Sequence, residues 1–189
     1  MENISYSTVG FSDRDIESAL DAIAEAGFPL VEIQGKSPHV AKPLSGKVLS
    51  DFRYRIHTRG LTAKTMHAPS GRTVLGTTDE DWRRQEIILL KRYLNFGSDL
   101  GITDMVIHPI PNPIFVENPE NPNVPDLIGE SLKRSIDDLI PTAERTGVRF
   151  NLENLPYRCD YPYRTMKELR VLIEDYPKEC VGLIIDTGH

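Results

Sequence analysis

Four times in this chain a helix-like segment ends at a glycine and a short apolar run follows at once. The four are AEAGFPLVEI (24–33), HTRGLTAKTM (57–66), DLGITDMVIH (99–108) and ERTGVRFNLE (144–153). A glycine just past a helix end supplies the left-handed residue that other side chains resist. An apolar run directly behind it reads as a strand buried on both faces. A fifth run, CVGLIID (180–186), follows a helix-like segment without that glycine, and ISYSTVGF (4–11) reads as the opening strand. The repeat therefore predicts strands near 4–9, 30–34, 61–67, 103–108, 148–153 and 181–186. Helices are expected near 13–26, 45–59, 79–100, 126–146 and 165–176. Strict alternation of this kind implies parallel strands joined by right-handed crossovers.

Local signals support those helices. Ser12 with Asp15, Thr78 with Asp81 and Thr165 with Glu168 each have capping-box spacing. Ile16, Leu20 and Ile23 fall on one face of the first helix, and Ile87, Leu90 and Leu94 on one face of the third. The loop 109–125 is rich in proline and asparagine, and connections that long inside a domain are usually functional. With 189 residues the chain can bury a substantial core, yet a closed (β/α)8 barrel typically needs about 250. We therefore expect a single partial barrel domain over 1–189, α/β in class, with about six strands and five helices.

Composition narrows the function classes. A net charge of -6 provides no field that attracts nucleic acid or an anionic membrane. No stretch approaches the apolar length of a membrane span. The start MENISYSTVG has no signal-peptide pattern. Cys159 and Cys180 form no CxxC, as in a reduced cytoplasmic protein.

In a (β/α)8 barrel the active site lies at the C-terminal ends of the strands. Here those ends carry Glu32, His67, His108, Glu153 and Asp186, with His189 close behind. Singly, such a residue is more often a hydrogen-bonded polar group than a ligand. Side-chain alternation makes the set converge: Glu153 shares a face with Asn151, Asp186 with Ile184, and His108 with Val106. Phe150, Leu152, Leu183, Ile185, Met105 and Ile107 take the helix side. Lys64 falls on the helix side by the same parity. Carboxylates gathered in this way repel unless a cation or proton compensates them. Mixed imidazole and carboxylate ligands suit a divalent metal. His39 and His57 read as surface residues, Tyr157, Tyr161 and Tyr163 as loop packing, and Arg158 as a solvated arginine.

LEN at 152–154 and DTGH at 186–189 resemble the strand-five and strand-six signatures of the xylose-isomerase-like barrel superfamily. HAP at 67–69, IHP at 107–109 and VEI at 31–33 are similar to its other strand ends. The resemblance spans nearly the whole chain and implies a sugar isomerase or epimerase. Glu153 and Asp186 would then be ligands of one divalent metal (manganese, zinc, magnesium or cobalt), and Glu153 also an acid/base residue. His67, His108, His189 and Glu32 would contact substrate. The implied chemistry is proton transfer through an enediolate of a sugar, sugar phosphate or related hydroxy-carbonyl compound.

The superfamily's apurinic-endonuclease branch is the alternative, with His67, His108, Glu153, Asp186 and His189 holding zinc. Strand one here lacks the histidine of that branch, and the acidic balance opposes binding to a phosphate backbone. A third reading is a sugar-binding barrel without turnover, which the residue ending strand eight would discriminate. Six strands cannot close an eight-stranded barrel. The resemblance therefore predicts about 80 further residues, or two βα units, carrying a His and a Glu ligand. A partner chain completing the barrel, or a homo-oligomer, is the other way to cover the sheet edges.

Overall fold

The computed structural model describes residues 4–189. Its elements run β1 (Ser5–Ser7), α1 (Ile16–Glu25), β2 (Leu30–Gln34), α2 (Gly46–Thr58), β3 (Thr62–His67), α3 (Glu80–Leu100), β4 (Asp104–Ile107), α4 (Val124–Thr146), β5 (Arg149–Glu153), α5 (Met166–Ile173) and β6 (Val181–Ile184). The six strands pair in sequence order, each parallel to the next. This is the α/β architecture of a (β/α)8 barrel carried through six strands and five helices.

Gly27, Gly60, Gly101 and Gly147 all take φ between 69° and 92°. At Gly101 and Gly147 the left-handed residue directly caps α3 and α4. It turns the chain back toward the sheet, so the next residues enter a strand.

The strand side chains that turn away from the barrel axis include Val31, Ile33, Met66, Met105, Ile107, Phe150 and Leu152, all with no exposed surface. They form one core with Leu20, Ile23, Phe52, Leu90, Leu94, Leu132 and Leu139 from the helices. Full burial of each such side chain contributes about 1.5–3 kcal/mol. This layer fixes each strand's rotation, and therefore which residues reach the opposite face.

Several expectations are corrected. The opening strand is shorter than 4–9. After Ser7 the chain curls into a 3-10 turn over Thr8–Phe11, with the Ser7 hydroxyl accepting from the Val9 N–H. Thr8, fully buried, then accepts the Gln34 N–H at 3.0 Å instead of continuing the ladder. Asp15 and Asp79, rather than Ser12 and Thr78, cap α1 and α3, because their carboxylates reach the Ser18 and Trp82 N–H groups at 2.9 Å. Thr165 and Glu168 do form the reciprocal capping box.

Lys64 does not take the helix side. The β2–β3 register pairs Val31 with Ala63 but Glu32 with Thr65, so Lys64 is the extra residue of a bulge and is exposed. The bulge resets the alternation, leaving Thr65 and His67 on the inner face. Ile185 is 66% exposed at the end of β6 rather than packed under a helix. His39 is half-buried, its Nε2 lying 3.2 Å from the Phe11 carbonyl oxygen. His57 is exposed. Tyr161 is buried, and Tyr157 and Tyr163 pack against the core.

Candidate metal and substrate site

A cavity of about 470 Å³ opens at the C-terminal ends of the strands. Glu32, His67, His108, Glu153, Asp186 and His189 all line it. At β4 the convergence follows strand alternation, with Val106 lining the cavity two residues before His108, whereas Ile184, Ile185, Asp186 and Thr187 all line it at and beyond the end of β6.

Glu153 is the centre of the group. Only 8% of its side chain is exposed, and its two oxygens face different neighbours. Oε2 lies 3.1 Å from His108 Nε2 and 3.4 Å from His67 Nε2. Oε1 lies 3.8 Å from His189 Nδ1. His189 Nε2 in turn lies 3.5 Å from Asp186 Oδ2. Two sets of potential ligand atoms result, His67–His108–Glu153 and Glu153–Asp186–His189, each within 4.8 Å.

The surroundings fix the imidazoles. His67 Nδ1 sits 2.7 Å from the Ala68 carbonyl oxygen, where a ring N–H donates. His189 Nδ1 sits 2.7 Å from the Asn154 carbonyl oxygen. A neutral ring donating through Nδ1 presents a lone pair at Nε2. At His67 that lone pair would meet the lone pairs of Glu153 Oε2, a repulsive contact unless a proton or cation intervenes. Glu153 Oε2 and His108 Nδ1 are both buried without a hydrogen-bond partner. An orphaned carboxylate oxygen among three imidazoles, two of them oriented by carbonyls, is what a divalent ion would satisfy. The residues therefore fit a metal.

Protonation reflects the same geometry. Burial pushes the Glu153 carboxyl up, but His108 and His67 outweigh it and hold it far below the usual carboxylate range. Burial pushes His67 down, but Glu153 and the Ala68 carbonyl raise it above its ordinary value. Glu153 is thus an ionised carboxylate in a nearly buried position.

Glu32 stands apart from both sets and accepts from Thr65 Oγ1 at 3.2 Å. Asn154, which follows Glu153, was not singled out from the sequence as a site residue. Its side chain accepts the Asp186 N–H at 2.8 Å and donates to the Asp186 carbonyl at 3.0 Å, tying the end of β6 to β5. Gly35 also positions the site: its N–H reaches the His67 carbonyl at 2.8 Å, and a side chain there would collide with that oxygen. Ser7, Gln34, Lys36 and Ser70 are further polar residues of the lining and carry no motif of their own.

The family model of the xylose isomerase-like TIM barrel matches residues 20–189. The chain belongs to this family. An uncharacterized protein of Methanocaldococcus jannaschii is 22% identical over 183 residues, covering 97% of this chain and 59% of that protein. Among solved structures, a D-tagatose 3-epimerase-like protein aligns with a TM-score of 0.79 at 21% identity, over 98% of this chain and 65% of its own. The 3-keto-D-glucoside 4-epimerase of E. coli aligns at 0.77 and 22%, over 98% and 68%. A D-psicose 3-epimerase studied with D-fructose aligns at 0.78 and 17%, over 97% and 63%. The chain thus spans about three fifths of the relative from M. jannaschii and about two thirds of these barrels. At such identities the likeness is one of fold. No helix among the described residues is long and apolar enough to cross a membrane.

Proposed function

We propose that this xylose isomerase-like barrel is a divalent-metal-dependent isomerase or epimerase of a sugar or related hydroxy-carbonyl compound. The observation that carries the reading is the nearly buried Glu153, whose two oxygens face separate sets of ligand atoms at the barrel mouth. Epimerases among the structural neighbours support the substrate class.

Glu153 Oε1, Asp186 and His189 would hold the ion. When bound, the metal would act as a Lewis acid toward negative charge developing on substrate oxygen. Glu153 Oε2, on the side of His67 and His108, is placed to take the proton α to a carbonyl. Its burial keeps water from competing. His108, and His67 in its protonated form, would then donate to substrate oxygens through Nε2, while the Ala68 carbonyl fixes the His67 ring. Asn154 holds Asp186 and His189 in register with Glu153. Glu32 and Gln34, on the far wall, are placed to bind hydroxyls.

The test is proton exchange. With Mn2+ present, ketoses incubated in deuterated water should lose their α-proton signal by NMR, and Glu153→Gln should abolish the exchange. Exchange that survives in the variant, or no metal binding by the native chain, would overturn the reading.

A second reading has its own observation. His67 and His108 lie on the same rim as Asp186 and His189, and the two sets share one carboxylate, as in a zinc phosphodiesterase with more than one ion. The net charge of -6 opposes it. Two or more zinc ions per chain, with salt-sensitive binding and cleavage of abasic duplex DNA, would favour this reading over the first.

A further inference from the structure

Beside the main cavity lies a second one of about 390 Å³, between the β5–α5 loop and the start of α5. Its walls include Asn154, Tyr157, Arg158, Arg164 and Thr165. His189 belongs to both cavities, so the recess adjoins the candidate metal centre with one imidazole between them.

The two arginines give the recess its character. Arg158 is exposed and Arg164 half-buried. Neither forms an ion pair among the described residues, and the two line one recess together. Arg164 donates through Nη1 to the Tyr157 carbonyl at 3.0 Å, which anchors its stem and folds the loop around it. Glu168 is the carboxylate whose charge responds to Arg164. Its Oε2 is engaged by the Thr165 N–H and hydroxyl at 3.0 and 2.6 Å.

An acidic protein leaves these two guanidinium groups unneutralised beside a site that already contains Glu32, Glu153 and Asp186. Against those three carboxylates the lining of that site offers one lysine, Lys36. A guanidinium fork matches the geometry of phosphate and carboxylate oxygens.

We propose that Arg158 and Arg164 bind an oxyanion, phosphate or carboxylate, carried at the end of the substrate remote from the metal. The physiological substrate is then a sugar phosphate or sugar acid rather than a neutral sugar. The inference rests on the proposed sugar-transforming site and deepens it. Arg158 acts as a specificity residue, and Arg164 both binds the anion and shapes the loop.

Calorimetric titration tests it without requiring turnover. D-Fructose, D-fructose 6-phosphate and D-gluconate are titrated into the full chain with Mn2+, and Mn2+ alone is titrated separately. The phosphate or the acid should bind about tenfold or more tightly than the neutral ketose. Which of the two binds better identifies the source of the oxyanion. Arg158→Glu should abolish the preference and leave Mn2+ affinity unchanged. Arg164→Lys, which retains charge but loses the fork, should reduce it. Lys36→Ala, across the main cavity, should not alter it. Equal or weaker binding of both anions, absence of binding by all three ligands, or a preference lost only in Lys36→Ala would overturn the inference. Failure of Mn2+ to bind the native chain would count instead against the metal site.

Discussion

Two polar clusters in this barrel are buried to a similar degree and built in opposite ways. Between α3 and α4, Arg83 is 6% exposed. It donates to Glu80 at 2.8 and 3.0 Å, to Asp138 at 2.7 Å and to Ser135 at 3.4 Å. Ser135 in turn donates to the Leu75 carbonyl at 2.7 Å. Each charge there has a partner of opposite sign. At the barrel mouth Glu153 is equally buried, but Oε2 has no hydrogen bond and its nearest polar neighbours are the Nε2 atoms of His108 and His67, at 3.1 and 3.4 Å. A buried charge with all its partners holds helices together. A buried charge lacking them is unfavourable as it stands and gains when a ligand arrives. The contrast separates the seam that maintains the fold from the site that acts.

Removing the central charge should separate the two most sharply. Glu153→Gln should abolish α-proton exchange, since it removes a proposed metal ligand together with the factor of about 10^2 to 10^4 that a positioned base contributes. Its metal-free thermal unfolding should stay near that of the native chain. A large fall in metal-free stability would show that Glu153 is a structural group like Arg83.

The converse change is Arg83→Ala. It leaves Glu80 and Asp138 facing each other, and we expect a loss of about 2–3 kcal/mol in urea unfolding. That is below the value for a fully buried pair because both carboxylates remain partly in water. Mn2+ affinity should be unaffected. Metal itself should act on the mouth alone: at 100-fold over its Kd it should add about 2.7 kcal/mol to the native chain. It should add nothing to Glu153→Gln.

A smaller effect is expected below the mouth. A Cβ at position 182 would run into Asn151 Oδ1, whose amide donates to Asp104 at 3.1 Å. Gly182→Ala should cost about 1–3 kcal/mol through this overpacking, read as a shift in the urea midpoint.

The smallest effect is acid titration of the seam. Hydrogen bonds from Arg83 outweigh burial and, with Arg84, hold the Glu80 carboxyl down at about 2. A carboxyl depressed in the folded state adds stability that is complete above its unfolded pKa and disappears as pH falls through its folded one. The contribution should therefore decline from about pH 5 to pH 2. Solvent screening keeps it to roughly 1 kcal/mol or less. Glu80→Gln should flatten that part of the stability profile, and an unchanged profile would mean that Glu80 is not coupled to Arg83.

Much of the fold was legible because it is written locally. Each glycine after a helix marks a left-handed backbone, and the apolar residues behind it mark a strand, without knowledge of distant neighbours. Inward placement of His108 and Glu153 followed from alternation, whereas Asp186 lies beyond β6 in a run whose consecutive residues all line the cavity. Reading failed where neighbours decide: Lys64 at a bulge set by pairing with β2, Thr8 diverted to the Gln34 N–H, and His39 drawn to the Phe11 carbonyl. Asp15 and Asp79 displaced Ser12 and Thr78 as caps because a carboxylate at the helix start out-competes a hydroxyl placed a residue or more earlier.

By itself, then, the sequence determined the order of elements, the parallel sheet and the row of acids and imidazoles at the strand ends. Tertiary structure alone decided that Glu153 divides its oxygens between His67–His108 and His189, and that His189 joins the main cavity to the arginine-lined recess. It also decided that Arg83 would find Asp138. The physical reason is range. Backbone conformation and side-chain alternation are properties of a few consecutive residues. A distance of 3.1 Å between His108 and Glu153 depends on how neighbouring strands stagger and curve, which the whole packed layer of helices sets.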